Sequence, residues 1–326
     1  MKNLTKIFFA VAALVAVSCT TDVTEDLGVQ LGNDGAGQTT LTLSLEESRT
    51  LLGEAANGLY PVTWCADDAI SVNGVKSTSI TISDNASVAT FAFDGVLSYP
   101  YAVAYPATAE GKVVFADQQS YTEGTFTDGA AVMYGYAEAE GGMALKHLTG
   151  ILKIGVTGEK TLAFAQISNV DRTPIAGEFA LNFAEGEVSA TESSKELINY
   201  SFGEGVELSG TPTYLHVAVP AGNYDELYVT LYDTEGGVMY ATVKAGDEKP
   251  LKAGKVREFS NSITYTPNST VFVIKDKATL KAFGEQAAEL SKDALFVADV
   301  DMTGETWTPS RVTQTPFSEM VTRSRA

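Results

Sequence analysis

Apolar and polar residues alternate with a period of two along most of the chain. In the first such segment Leu41, Leu43 and Leu45 are separated by polar residues. Successive side chains of a β-strand point to opposite faces of a sheet, so this pattern predicts a strand with one buried face. Comparable short segments recur about every ten residues, as they do in β-sandwiches. No stretch before residue 277 shows sustained helical periodicity.

Turn signals separate the predicted strands. Pro106 and Pro220 each end an alternating segment, since proline removes a backbone hydrogen-bond donor. Residues 233–237 contain two glycines between two strand-like segments, which predicts a hairpin loop. Residues 185–196 are polar, and we interpret them as a loop. Together these signals predict an all-β chain built from sandwich domains.

The pattern changes after Pro267. Apolar positions in residues 277–290 follow the helical period, with Leu280, Phe283, Ala287 and Leu290 on one stripe. Strand-like segments flank this predicted helix at residues 270–274 and 294–298. We therefore expect a short α/β segment after the sandwich domains.

The N-terminus has the features of a secretory signal. Lys2 and Lys6 precede an apolar run at residues 7–17, which is shorter than the ~20 residues that span a bilayer. Small residues lead to Cys19, the position of the lipidated cysteine in a bacterial lipoprotein. We expect residues 1–18 to be a signal peptide, and residues 19–38 to be a lipidated flexible tether. The alternative is an ordinary cleaved signal with a chance cysteine.

The net charge and the two cysteines limit the partners and the covalent chemistry that we expect of the protein. The chain carries a net charge of −19, and loss of residues 1–18 would make it −21. Binding to nucleic acid depends on basic patches, so we expect no nucleic-acid partner. Lipidation of Cys19 would leave Cys65 without an intramolecular disulfide partner. Its apolar surroundings indicate a small buried side chain, and a reactive thiol is the alternative.

The usual catalytic and cofactor motifs do not stand out. His147 and His216 both lie in strand contexts, without a nucleophile elbow or a phosphate-binding loop elsewhere. The acidic pairs Asp67-Asp68 and Asp299/Asp301 could hold calcium, but no EF-hand-like spacing surrounds them, and we interpret them as solvated acidic turns. We therefore predict no enzymatic activity, no catalytic residues, no metal and no cofactor.

Several motifs, in this order, resemble those of the fimbrillin-like lipoproteins of the Bacteroidetes. They cover residues 40–266 and are listed by their numbers: 48–50 (Ser-Arg-Thr), 62–72 (Val-Thr-Trp to Ile-Ser-Val), 103–106 (Val-Ala-Tyr-Pro), 145–154 (Leu-Lys-His-Leu-Thr-Gly-Ile-Leu-Lys-Ile), 174–177 (Pro-Ile-Ala-Gly) and 217–222 (Val-Ala-Val-Pro-Ala-Gly). The resemblance implies two tandem transthyretin-like β-sandwich domains, at residues 39–172 and 173–267.

Residues 268–309 resemble the start of a different module, a parallel β-helix appended to such proteins. The expected next rung is missing, since residues 310–326 become polar, basic and irregular. We hypothesise a frameshift, because codons that could encode residues 320–326 would restore the rung motif when read in another frame.

The resemblance also implies a function. Members of the family form subunits or anchors of surface fimbriae, and they assemble when the strand of a neighbour replaces a lost N-terminal strand. In this chain Leu41, Leu43 and Leu45 would belong to that removable donor strand, and Arg49 would be the protease site that frees it. An exposed turn residue is the alternative for Arg49.

The expected partners are other fimbrial subunits, a second copy of the chain, the outer membrane through lipid on Cys19, and a host protein or glycan. We expect the protein to be exposed at the outer membrane, within a fimbrium. The alternative function is a lipid-anchored sandwich that binds a glycan or host ligand without polymerising. A further alternative is a role in glycan hydrolysis, which would require a cleft with paired carboxylates.

Overall fold

The computed structural model describes residues 38–45, 63–84, 86–140, 143–246, 249–286, 294–296, 300 and 302–303. The predictions for the signal peptide, Cys19, Arg49, the acidic pair Asp299/Asp301 and residues 310–326 lie outside these residues. Only residue 38 of the predicted tether is among them, and it begins the first strand.

The described residues form 23 strands and one helix. The first ten strands are β1 (Gln38–Leu45), β2 (Ser71–Val72), β3 (Val75–Lys76), β4 (Ser79–Ile82), β5 (Val88–Asp94), β6 (Tyr101–Tyr105), β7 (Lys112–Phe115), β8 (Gln118–Ser120), β9 (Met133–Ala137) and β10 (Ala144–His147). The next eight are β11 (Thr149–Thr157), β12 (Thr161–Asn169), β13 (Ala176–Asn182), β14 (Glu187–Lys195), β15 (Leu197–Glu207), β16 (Thr213–Pro220), β17 (Glu226–Asp233) and β18 (Gly237–Lys244). The last elements are β19 (Val256–Glu258), β20 (Ile263–Thr264), β21 (Ser269–Thr270), β22 (Phe272–Ile274), α1 (Lys277–Gln286) and β23 (Ala294–Phe296).

Eight strands form one sheet that is folded at β10, in the order β3-β2-β6-β9-β10-β1-β5-β4. Ala144 and Leu145 of β10 pair with β1, whereas Lys146 and His147 pair with β9. A strand that changes partners along its length makes a corner between two sheet halves. The halves share one core, formed by Leu41, Leu43, Trp64, Ile70, Val72, Ala89, Phe91, Phe93, Tyr101, Val103, Tyr105, Met133, Met143 and Leu145.

A second sandwich is formed by two further sheets, mainly from strands that follow β10. Its four-stranded sheet has the order β16-β11-β19, with β20 also paired to β11. Its six-stranded sheet has the order β21-β18-β17-β12-β15-β8. Alternate residues of both sheets point into the largest core, where Leu152, Ile167, Tyr200, Val217 and Val229 are at most 1% exposed.

The strand pairing differs from the predicted division at residues 172 and 173. Both β11 and β12 were assigned to the N-terminal domain, but they pair with β16 and β17. Conversely, β13 was assigned to the C-terminal domain, and it pairs with β7. Alternation shows which side of a strand is buried but not which distant strand lies beside it, so the division could not be read from the pattern.

The three-stranded sheet β14-β13-β7 links the two sandwiches. Phe115 of β7 packs edge-on against Phe179 of β13, with ring centroids 5.3 Å apart. Gly186 at the tip of the β13–β14 hairpin has φ +73°, and a Cβ there would collide with the hydroxyl of Tyr134. Close contact of β9 with this hairpin therefore depends on a glycine.

The prediction of a loop at residues 185–196 is wrong. Most of this segment is β14, which pairs with β13 from Ala176–Lys195 to Asn182–Glu187. The strand lies at the edge of its sheet, and most of its side chains are exposed. Its polar composition reflects solvent on both faces rather than the absence of a strand, and polar side chains also discourage unwanted pairing of an edge.

The predicted all-β class and the short α/β segment are confirmed. The strands β22 and β23 are parallel neighbours, connected through a segment that includes α1. Leu295 of β23 is buried against Tyr232 and Val238 of the six-stranded sheet. Within the part of the chain that the structure describes, no helix has the length and apolarity needed to cross a membrane.

The outer face of the four-stranded sheet is covered by residues 116–131. The buried side chain of Gln119 donates to the carbonyl of Ala218 at 2.7 Å and accepts from its amide at 2.9 Å. The side-chain amide of Gln119 thus makes the two backbone hydrogen bonds that a neighbouring strand would make at the edge of β16. His216 lies two residues away and is 4% exposed.

The burial of His216 predicts a pH-dependent stability. Burial, and secondarily the charge of Lys153, lower the pKa of His216 to about 4 from its ordinary value of 6.5, although Glu258 opposes the shift. A lowered pKa stabilises the fold above pH 6.5, and this stabilisation is lost as the pH falls towards 4. The loss should be about 3 kcal/mol between pH 7 and pH 4. Denaturant unfolding of the natural chain and of His216→Gln should show the difference. Identical pH profiles would contradict it.

Candidate functional site

The predicted donor strand β1 lies inside the eight-stranded sheet. It pairs with β5 antiparallel over seven residue pairs, from Gln38–Asp94 to Ser44–Val88. On its other side it pairs with β10 parallel, through Ser44–Ala144 and Leu45–Leu145. β1 is therefore held mainly along one edge, and its C-terminal end is fixed along both.

Alternate side chains of β1 fill the core. Leu41 and Leu43 are 1% and 0% exposed, and their partners on β5 are Phe91 and Ala89. Burial of each leucine contributes about 1.5–3 kcal/mol. The predicted alternation therefore matches the burial of these two leucines, and Leu45 continues the strand. Their role in strand exchange stays a prediction.

Threonine hydroxyls fix the register between β1 and β5. Thr39 is buried, donates to the carbonyl of Gly95 at 2.9 Å and accepts from the amide of Leu97 at 3.0 Å. On the opposite face of the strand, the hydroxyls of Thr42 and Thr90 lie 2.8 Å apart. A shift by one residue would break these bonds and turn Leu41 out of the core.

Aromatic rings line the core beside β1. Trp64 packs edge-on against Phe91 and Tyr105, with ring centroids 5.1 and 5.3 Å apart. The Tyr105 hydroxyl donates to Asp68 at 2.7 Å. Burial and this carboxylate raise the pKa of Tyr105, so the phenol stays neutral. Packed aromatic side chains therefore surround the leucines of β1 in the core.

Hydrogen bonds of Asp68 hold the acidic turn at Asp67-Asp68. Asp68 accepts from Tyr105 with one carboxylate oxygen and from the amide of Cys65, at 2.7 Å, with the other. A cavity of about 250 Å³ lies beside it. No group of three or more potential metal-binding side chains occurs among the described residues.

The interpretation of Cys65 as a buried side chain is wrong. The residue is exposed, because the chain turns immediately after the buried Trp64. Desolvation and the nearby carboxylates of Asp68, Asp128 and Asp67 raise the pKa of the Cys65 thiol. The thiolate is the nucleophile, so this environment reduces reactivity.

A larger cavity of about 660 Å³ lies next to the β17–β18 hairpin. Asp233 at its edge is 1% exposed. Its carboxylate accepts from the amides of Glu235 and Gly237 at 2.8 Å and from the Tyr265 hydroxyl at 3.1 Å. This carboxylate therefore stabilises the hairpin, and its oxygens are committed to these bonds.

Two solved structures resemble the fold. A proposed cell adhesion protein from Bacteroides uniformis is 15% identical with a TM-score of 0.41, over 72% of this chain and 94% of its own. A second, from Bacteroides ovatus, is 9% identical with a TM-score of 0.42, over 71% of this chain and 92% of its own. No protein-family model matches the sequence. No curated protein matches it either.

Burial of the leucines of β1 should contribute a large part of the free energy of unfolding of the N-terminal sandwich. Truncation leaves a cavity in a close-packed core, so Leu41→Ala and Leu43→Ala should each cost about 2–5 kcal/mol. Ser44→Ala, on the other face of the same strand, should cost less than about 1 kcal/mol. Denaturant unfolding measures all three. Equal effects of Leu43→Ala and Ser44→Ala would show that β1 does not depend on its apolar face.

Proposed function

We propose that this chain is a lipid-anchored cell-surface protein that serves as a structural or anchoring subunit of a fimbria. Assembly would proceed by replacement of β1 with the strand of a neighbouring subunit. Adhesion, outer-membrane location and the absence of enzymatic activity are parts of the proposal. The observation that carries it is the position of β1, a peripheral segment of the sequence whose leucines fill the centre of a core.

Removal of β1 would leave a groove suited to another strand. The backbone of β5 would lose its partner along seven residues, and the start of β10 would lose its partner too. The spaces left by Leu41 and Leu43 would be apolar and spaced two residues apart. An incoming strand with alternating apolar residues could restore both the backbone hydrogen bonds and the core, which is the general basis of β-augmentation.

Cleavage at Arg49 would give β1 a means of release. Arg49 follows Leu45 by four residues in the sequence. Cleavage at Arg49 would separate β1 from the remaining sandwich while its noncovalent contacts persist. Release would then depend on exchange with a competing strand rather than on unfolding of the whole sandwich.

Another edge of the molecule is protected against strand addition. The side-chain amide of Gln119 hydrogen-bonds both the backbone amide and the carbonyl of Ala218 at the edge of β16. The edge strand β14 exposes charged side chains such as Glu187 and Glu192. Such features disfavour pairing with another chain, and they support the groove of β1 as the assembly site.

Lipid on Cys19 would lie on the N-terminal side of β1. Cleavage at Arg49 would therefore remove the anchor together with the donor strand. A subunit that keeps its N-terminal segment would remain attached to the membrane, whereas a cleaved subunit could enter a fibre. The same chain could thus be an anchor or a shaft subunit, depending on this one bond.

Outer-membrane extracts, run unboiled and boiled on a denaturing gel, test the proposal. We expect an unboiled ladder that collapses on boiling, because strand-exchanged polymers resist detergent. Arg49→Lys should abolish the ladder by removing an Arg-specific site while keeping the charge. Arg172→Lys, at an exposed arginine in the described part of the chain, should leave it unchanged.

A single band at the monomer mass in both lanes would contradict a shaft role. A ladder that persists in Arg49→Lys would contradict the cleavage step but not the exchange itself.

A further inference from the structure

The outer face of the six-stranded sheet carries an unusual set of side chains. On β17, Leu227, Val229 and Leu231 are buried in the sandwich core. The residues between them therefore point away from the core, and these are Tyr228 and Thr230. Tyrosine at alternate strand positions suits core packing as well as ligand contact, so the sequence pattern alone does not identify this face.

One row of polar and aromatic residues crosses five strands of this face in register. It consists of Gln118 on β8, Asn199 on β15, Gln166 on β12, Thr230 on β17 and Tyr240 on β18. The second row contains Ser168, Tyr228 and Thr242. We call these eight residues the amide–tyrosine face.

Hydrogen bonds hold the middle of the amide–tyrosine face in one arrangement. Gln166 Nε2 donates to Asn199 Oδ1 at 3.1 Å, and the hydroxyl of Tyr232 donates to Gln166 Oε1 at 3.2 Å. Each side-chain amide has further donor and acceptor capacity beyond these bonds. The face therefore offers positioned hydrogen-bonding groups rather than freely rotating ones.

Two large aromatic side chains project from the same face. Tyr228 is 51% exposed and Tyr240 is 58% exposed. Tyr228 is opposite Thr242, and Tyr240 is opposite Thr230, so the two tyrosines are diagonal neighbours on adjacent strands. Diagonal neighbours are about 7–8 Å apart. Tyrosine offers a rigid contact surface with a polar tip, and its ordering costs little entropy.

The amide–tyrosine face is uncharged, although the chain carries a net charge of −19. The nearest charged residues across β17 and β18 are Glu226 and Lys244 in the following row, which neutralise each other at 3.2 Å. A cationic ligand would bind preferentially to acidic parts of the surface, and the net negative charge of the protein would repel an anionic ligand. The electrostatics of the face therefore match a neutral ligand.

We propose that the amide–tyrosine face binds an uncharged polysaccharide. The tyrosine rings would stack on the C–H faces of sugar rings, and the amides of Gln118 and Gln166 would hydrogen-bond sugar hydroxyls. Asn199 is 9% exposed, and its part is to position Gln166. Leu295 of β23 packs on Tyr232 and Val238 in the adjacent row, so β23 lies at one side of the amide–tyrosine face. This site lies on a different sheet from β1, and it does not depend on strand exchange.

Retardation of the full chain, purified in detergent, in native gels containing soluble polysaccharides tests the proposal. The neutral probes are dextran, yeast mannan, galactomannan and xyloglucan, and polygalacturonate is the acidic comparison. We expect at least one neutral polymer to retard the protein, and polygalacturonate to have no effect. In the double variant Tyr228→Ala/Tyr240→Ala the affinity should fall at least about tenfold, as is common for aromatic contact residues.

Two matched controls separate binding from folding. Tyr228→Phe/Tyr240→Phe keeps the stacking surface and should retain most of the retardation. Val96→Ala changes a side chain that is 75% exposed elsewhere, and it should behave like the natural chain. The proposal is overturned if no neutral polymer retards the chain, if polygalacturonate retards it equally, or if the alanine variant binds as well as the natural chain. None of these outcomes would affect the gel test of strand exchange.

Discussion

Burial of Leu41 and Leu43 between the two halves of a folded sheet is the interaction on which the N-terminal sandwich depends. The two leucines contact a core built from both halves, and they come from a strand at the start of the described chain. Because β10 divides its pairing between β1 and β9, β1 completes the corner where the sheet folds. Loss of β1 would remove core volume and a backbone partner together, and another strand could replace both.

The parts of the structure that depend on local pattern were predictable. The alternation at residues 38–45 identified a strand with buried leucines, and helical spacing identified α1, which is described as far as Gln286. Predictions that required knowledge of partners were less successful. The polar composition of β14 predicts a loop, but solvent reaches most of the side chains of this edge strand, so it needs no apolar face. The apolar surroundings of Cys65 predict a buried side chain, but the chain turns directly after Trp64 and leaves the residue exposed. The amide–tyrosine face depends on a register between five strands, which no local segment contains.

The two proposed activities occupy different sheets. The groove of β1 lies in the folded N-terminal sheet, whereas the amide–tyrosine face lies on the outer side of the six-stranded sheet. A subunit could therefore exchange its strand without covering the binding face. Edge protection by Gln119 would direct association to β1, and the neutral face would remain available for a ligand.

A reversible covalent lock between β1 and β5 would test strand exchange most directly. The opposed pair Thr42 and Thr90, with hydroxyls 2.8 Å apart, can be replaced by cysteines in a Cys65→Ser background. The disulfide would hold β1 in its own groove even after cleavage at Arg49. The account predicts that oxidised cells form no detergent-resistant polymer and that reduction restores it. Equal polymer formation in the locked and reduced states would show that assembly does not use the groove of β1.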